Sequence, residues 1–215
     1  MASLNSISES IAIRLKEQLN TPFIESIKND IIEYRATFIR QDLDRNPLSY
    51  GDYILPIVEE LKLVNQSEAP GLATNSYILR SKNKIAKPLR LKNNGRSNFK
   101  SISTVDRNKL LSYINLEEFK YHKELPFQDN AIYYTYLNGY LYVLNTLKPC
   151  KILIEGVFAD PRQIINCDEP DVFPDDRDLG IPTDMIAGIK TSILNTYRTQ
   201  PEDGKEINID KDDNS

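Results

Sequence analysis

A run of carboxylates is the first candidate for reactivity in this chain. Asp168, Glu169, Asp171, Asp175, Asp176 and Asp178 crowd the stretch that ends at Leu179. Clustered carboxylates can hold Ca²⁺ or Mg²⁺, and a carboxylate-bound Mg²⁺ can activate water against a phosphodiester. The spacing lacks the glycine-turned ligand ladder of a calcium loop, and Pro170 and Pro174 interrupt it, so the stretch reads as an exposed acidic loop. A nuclease or phosphatase built on Asp175–Asp178 is the one enzyme route left open. His122, the single histidine, has no nucleophile beside it. Cys150 and Cys167 form no paired ligand motif and are expected as reduced thiols. The eight glycines are scattered singly, so no phosphate-cradling loop is present, and no G-x-S-x-G or H-E-x-x-H occurs. The expectation is a non-enzyme with no metal and no cofactor.

Charge is the second signal. The net charge is only −4, but between Glu68 and Asp106 there is no acid, while Arg80, Lys82, Lys84, Lys87, Arg90, Lys92, Arg96 and Lys100 supply eight positive charges. From Glu155 to Ser215 fifteen acids face six bases. Such asymmetry suits contact with a polyanion or complementary faces on neighbouring subunits; otherwise folding mixes the two blocks into an ordinary surface. Pro88, Asn93-Asn94-Gly95 and Ser97-Asn98 suggest that residues 80–109 form an extended, exposed basic arm. Tyr77 and Phe99 flank the charges without interleaving them, so base stacking has no support, although phosphate contact does.

These groups need elements to position them. With 215 residues and 40% hydrophobic positions the chain can bury a core, expected as one domain over residues 1–199. Ile7, Ile11, Leu15 and Leu19 make one stripe of a first helix. Thr21-Pro22 reads as the cap and first turn of a long second helix, with Ile24, Ile27, Ile31, Tyr34, Phe38 and Leu43 inward and Lys28 and Arg35 among the outward charges. Tyr53–Val64 fits an edge-like strand because Pro56 sits inside it. Tyr77–Arg80 and Leu110–Ile114 read as short strands, and Asn115-Leu-Glu-Glu118 as a capping box opening a short helix. Asn138-Gly139 lies between two β-rich runs and favours a two-residue hairpin turn. Lys151–Phe158 is expected as the third strand of that meander, stopped at Asp160-Pro161. Ile186, Ile189, Ile193 and Tyr197 mark a last helix starting at Pro182-Thr183. Residues 200–215 are polar and acidic, a flexible tail by composition, and Ile207 and Ile209 alternate as a strand that could join a neighbour's sheet edge. The fold class expected is α+β: two N-terminal helices, the second long, packed on a mostly antiparallel sheet, then a C-terminal helix and the tail.

No run approaches a membrane span, and the first residues lack the blocks of a signal peptide, so synthesis in a cytoplasm is expected. Several phrases, Ser8-x-x-Ile11-Ala-Ile-Arg-Leu15, Asn20-Thr-Pro-Phe23 with Ile27-Lys28, Tyr34-Arg-Ala-Thr-Phe-Ile-Arg40, Lys87-Pro-Leu-Arg90, Tyr133-Tyr134 with Asn138-Gly139, and Ile154-Glu-Gly-Val-Phe-Ala-Asp-Pro161, give the chain a family likeness. From about residue 8 to 197 it resembles the head–tail connector or neck ring proteins of short-tailed bacteriophages, in particular the crAss-like group. That resemblance implies a structural virion protein, a twelvefold ring stacked between portal vertex and tail around the DNA channel. It implies as partners its own copies, the portal protein, other neck or tail proteins and non-specific contact with packaged DNA, with no membrane and no catalytic residues. The partner-binding candidates are Arg80, Lys82, Lys84, Lys87, Arg90, Lys92, Arg96, Lys100, Ile207 and Ile209. A nucleic-acid-binding module using residues 80–109 is the alternative.

Overall fold

The computed structural model describes residues 3–15, 20–65, 68, 78–91, 99–121, 131–144, 151–165, 174–176 and 179–199. In chain order the elements are α1 (Leu4–Leu15), α2 (Thr21–Arg45), β1 (Leu55–Val64), β2 (Ile78–Ser81), β3 (Ser101–Thr104), β4 (Leu111–Tyr113), α3 (Leu116–Tyr121), β5 (Ile132–Leu137), β6 (Tyr140–Leu144), β7 (Lys151–Gly156) and α4 (Thr183–Thr199). The α+β class, the terminal helices and the mostly antiparallel sheet are as expected. Asn20, one residue earlier than anticipated, caps α2: its side chain accepts from the Phe23 N–H at 2.9 Å, leaving Pro22 in the first turn where a missing donor costs nothing.

The sheet runs β3-β7-β1-β2-β6-β5-β4 in space. Asn138 and Gly139 both take positive φ, 53° and 85°, and close the β5–β6 hairpin as their types require. The expected three-stranded meander does not form, because β7 pairs with β1 and β3 instead of β6. Ile152, Leu153 and Ile154 are buried in succession, so β7 is covered on both faces as well as paired along both edges. Nor is β1 an edge. It pairs with β7 over Leu55–Glu60 and with β2 over Leu61–Val64. Pro56 falls in the half paired on one side, where a missing donor is tolerated.

β4 and β5 are parallel, and the crossover between them carries α3. That helix opens with the predicted capping box: Glu118 N–H donates to Asn115 at 2.7 Å, and Asn115 N–H donates back to the Glu118 carboxylate at 3.4 Å. The two outermost strands also meet, through a bridge between Ser103 and Leu110 and a bond from Thr104 N–H to Lys109 O of 2.9 Å. The sheet is thus curled almost to closure. Its interior holds Ile57, Leu61, Leu79, Phe99, Ile102, Leu141, Val143, Ile152, Ile154 and Phe158.

The helices bury a second core, with Ile7 and Ile11 of α1, Ile27 and Ile31 of α2, and Ile189 and Ile193 of α4 all sealed from solvent. Each such side chain contributes about 1.5–3 kcal/mol by leaving water. Helices and sheet are joined where Ile39, Leu43 and Tyr53 pack on Leu89 and Val157. Asp42 holds this seam, accepting from Ser49 Oγ at 2.5 Å and Tyr53 Oη at 2.7 Å. Those two hydroxyls keep the Asp42 carboxyl below its ordinary value. A depressed carboxylate stabilises the fold above its unfolded pKa, about 3.9, and that share is lost as pH falls through the lower folded value. Asp42→Asn should therefore flatten the acid limb of a stability-versus-pH curve measured by urea unfolding. An unchanged limb would show that the seam carries none of it.

Gly180 sits at φ 57°, and a Cβ there would stand 2.8 Å from Leu55 Cδ2. Gly180→Ala is expected to cost about 1–3 kcal/mol in urea unfolding. Gly51→Ala, where the new methyl meets nothing within 4 Å, should fall within about 0.5 kcal/mol of the native protein.

Candidate functional site

The basic stretch is set by a buried acid. Glu59 on β1 is fully buried and accepts from Asn83 N–H at 2.7 Å. Ser81 Oγ donates to Asn83 O at 2.9 Å and accepts from Leu141 N–H at 3.1 Å. Because satisfied buried polar groups resist rearrangement, the turn between Lys82 and Lys84 is a fixed feature. Beyond it the chain continues on the sheet: Ile85 N–H bonds Gly139 O, Leu89 N–H bonds Val157 O and Ala159 N–H bonds Lys87 O, at 2.7–2.9 Å. Ile85, Ala86, Leu89 and Phe99 are buried. Over its described residues the segment 80–109 is therefore no free-standing arm. Its apolar residues anchor it, and the lysines between them reach solvent.

The candidate residues divide accordingly. Arg80 is spent inside the subunit, its side chain only 12% exposed, with Nη1 on Glu68 O at 2.9 Å, Nη2 on the Glu68 carboxylate at 3.2 Å, and the guanidinium over the Tyr140 ring. Lys82 is exposed and bonds the exposed Glu60 carboxylate at 3.0 Å. Lys100 is exposed and lies over the Tyr50 ring at 5.2 Å. Lys84, Lys87 and Arg90 are exposed. Lys92, Arg96, Ile207 and Ile209 lie outside the described residues, as do Tyr77, His122, Cys150 and Cys167.

Lys84 and Lys87 stand at the rim of an open cleft of about 550 Å³, with Ile85, Tyr136, Gly139, Gln163 and Ile165 among its other walls. The Lys84 stem runs past the hairpin turn, since a Cβ on Gly139 would be 3.6 Å from its Cγ. Ile165, half exposed at 51%, gives the cleft an uncovered apolar wall. The short turn at Pro161–Gln163 that carries Gln163 is fixed by Asp160, which accepts from Arg162 N–H at 3.0 Å and from the Arg162 guanidinium; that guanidinium also reaches Asn29 on α2 at 3.1 Å.

The acidic loop is partly used up. Asp175 accepts from Lys28 Nζ at 2.6 Å, and Asp176 accepts from Asn5 Nδ2 at 2.8 Å. The Lys28 side chain, expected to point outward, is 9% exposed and shared with Glu25 at 2.9 Å. Burial alone would lower its pKa, but bonds to Asp175 and Glu25 outweigh that and raise it. Asp175 therefore works as a tie between the loop and α2. Asp168, Glu169, Asp171 and Asp178 lie outside the described residues. Among the described residues no group of three or more His, Cys, Asp or Glu could hold a metal ion.

Arg35, also expected outward, is fully buried; its Nε donates to Leu179 O at 2.6 Å and its Nη1 to Phe158 O at 2.7 Å. One helix side chain thus clamps the chain before α4 to the chain after β7. Sequence spacing held the clue, since Lys28, Ile32, Arg35, Ile39 and Leu43 form a second helical row beside the isoleucine stripe. The cleft has no local clue in the sequence, its walls coming from three separated segments.

Among the described residues no helix is long and apolar enough to cross a membrane. No curated protein matches the chain. A family model described as phage tail ring protein 2, of the crAss ring group, matches residues 9–214. The resemblance to ring proteins of crAss-like phages is borne out over nearly the whole chain, and with it a structural role in the virion, self-association and tail partners. The chain belongs to the phage tail ring protein 2 family.

Proposed function

We propose that the chain is a ring-forming adaptor of the phage neck, twelve copies stacked between the portal vertex and the tail around the DNA channel. The observation that carries this reading is the family match over residues 9–214. The geometry supports it. A head-to-tail ring needs two different complementary faces on each subunit. Lys82, Lys84, Lys87, Arg90 and Lys100 form exposed positive positions on an immobile base, while the C-terminal part of the chain is acidic. Residues 1–199 act as the ring body and 200–215 as a contact tail. Partners are further copies, the portal protein and neighbouring neck or tail proteins. The work is done by shape and charge, with no reaction catalysed.

The alternative is nucleic-acid binding by residues 80–109, favoured by the exposed lysines alone. Salt-titrated binding of duplex DNA to the purified protein separates the two. A nucleic-acid module would lose affinity with a log–log slope of roughly 0.9 per phosphate neutralised. The adaptor is expected to bind DNA weakly and to bind purified portal rings. Tight, steeply salt-dependent DNA binding without portal binding would reverse the assignment.

A further inference from the structure

Among the described residues, the lysine-rimmed cleft between the 84–87 segment, the β5–β6 turn and the 163–165 segment is a built feature that opens to the surface. Its walls are fixed before anything binds. The Glu59–Asn83–Ser81 bonds set one side, the Asn138-Gly139 turn a second, and the Arg162 bonds to Asp160 and Asn29 a third. A preformed receptor avoids the ordering cost that weakens association. Its chemistry is mixed: Ile85, Tyr136 and Ile165 supply apolar wall, and Lys84 and Lys87 bring positive charge to the rim. The fitting ligand is an extended peptide with apolar side chains on one face and acids beside them.

The chain itself carries that peptide. Residues 206–210 read Glu-Ile-Asn-Ile-Asp within an acidic tail that lies outside the described residues, and the family match runs on through it to residue 214. In an extended segment Ile207 and Ile209 share one face, and Glu206 and Asp210, next to them in sequence, stand on the other, where long lysine side chains at the rim can reach around to them. Six residues lie between Thr199 and Glu206, so the step from one to the other reaches up to about 24 Å when extended. Addition to a neighbour's sheet edge is the weaker route for the same peptide, because β3 and β4 bridge each other through Ser103 and Leu110.

Resting on the ring reading above, we propose that this cleft is the receptor for residues 200–215 of the adjacent copy, so that each subunit carries a donor tail and an acceptor cleft. Such an exchange is heterologous and propagates around a ring. Each tail tethers its subunit to the next, so contacts that are weak singly become effectively intramolecular on closure.

The test uses the full-length chain with a photo-crosslinking residue in place of Ile207, mixing copies of natural and heavy isotope composition. Mass spectrometry of the adducts is expected to find links to residues 84–87 or 136–139 that join heavy to light copies. Lys84→Glu with Lys87→Glu should reduce that yield about tenfold, and adding Glu206→Lys with Asp210→Lys should restore it. Links within one copy only, links to another surface, or duplex DNA occupying the cleft while the tail stays uncrosslinked would each overturn the proposal. Electron micrographs of the same samples separate the two readings. Rings without the cleft adduct would defeat the tail exchange and leave the ring reading standing. The heavy–light cleft adduct without rings, alone or on portal, would uphold the exchange and defeat the ring.

Discussion

Replacing Arg35 is expected to give the largest loss of stability of any single change in this protein. Arg35→Met removes two short bonds to Leu179 O and Phe158 O and leaves buried acceptors without those donors. Each such loss costs about 1–3 kcal/mol, so the pair amounts to roughly 2–6 kcal/mol. Removing a charge from a buried site refunds part of that, which makes the lysine variant the sharper probe. Arg35→Lys keeps the charge but lacks the rigid fork that serves two oxygens at once, so it should be at least as destabilising as Arg35→Met. Urea unfolding of the three proteins decides the matter. A lysine variant as stable as the native chain would mean that Arg35 clamps nothing.

Reversing Lys82, Lys84 and Lys87 to Glu should have the largest effect on assembly while leaving the subunit folded. The Lys82–Glu60 pair is exposed on both sides, and pairs of that kind contribute about 0–1 kcal/mol, so the unfolding midpoint should move little. Against a complementary acidic surface three reversed charges meet repulsion in place of attraction, and uptake into particles should fall more than tenfold. Sedimentation of the purified variant checks the first half, and counting copies in particles assembled with it checks the second. Normal particles would show that these lysines only face solvent.

Local chemistry was legible in the sequence. The Asn138-Gly139 turn, the Asn115/Glu118 capping box and the isoleucine row of α4 depend on residues a few positions apart, and each lies where its spacing predicts. Strand partners were not legible to the same degree. Adjacency in sequence favours a β5-β6-β7 meander, but β7 pairs between β1 and β3, strands more than forty positions away that no local pattern points to. Lys28 and Arg35 are outward by charge and inward by position. Both lie on a row with Ile32 and Ile39, and the fold supplies acceptors from residues more than a hundred positions away. The basic stretch was legible as charge and not as shape. Its lysines are exposed as expected, yet Ile85, Ala86, Leu89 and Phe99 between them bind it to the sheet, so it presents a rim in place of an arm. The cleft under that rim joins residues from 84 to 165 and exists only in the folded chain.

The most direct measurement is a reconstruction of the tail vertex of intact particles by electron cryomicroscopy, with this chain located in the density. The predicted result is one closed ring of twelve copies on the particle axis, in contact with the portal on one side and tail proteins on the other, with DNA passing through its centre. Particles lacking the chain, or carrying it as isolated copies away from the axis, would contradict a ring-forming adaptor.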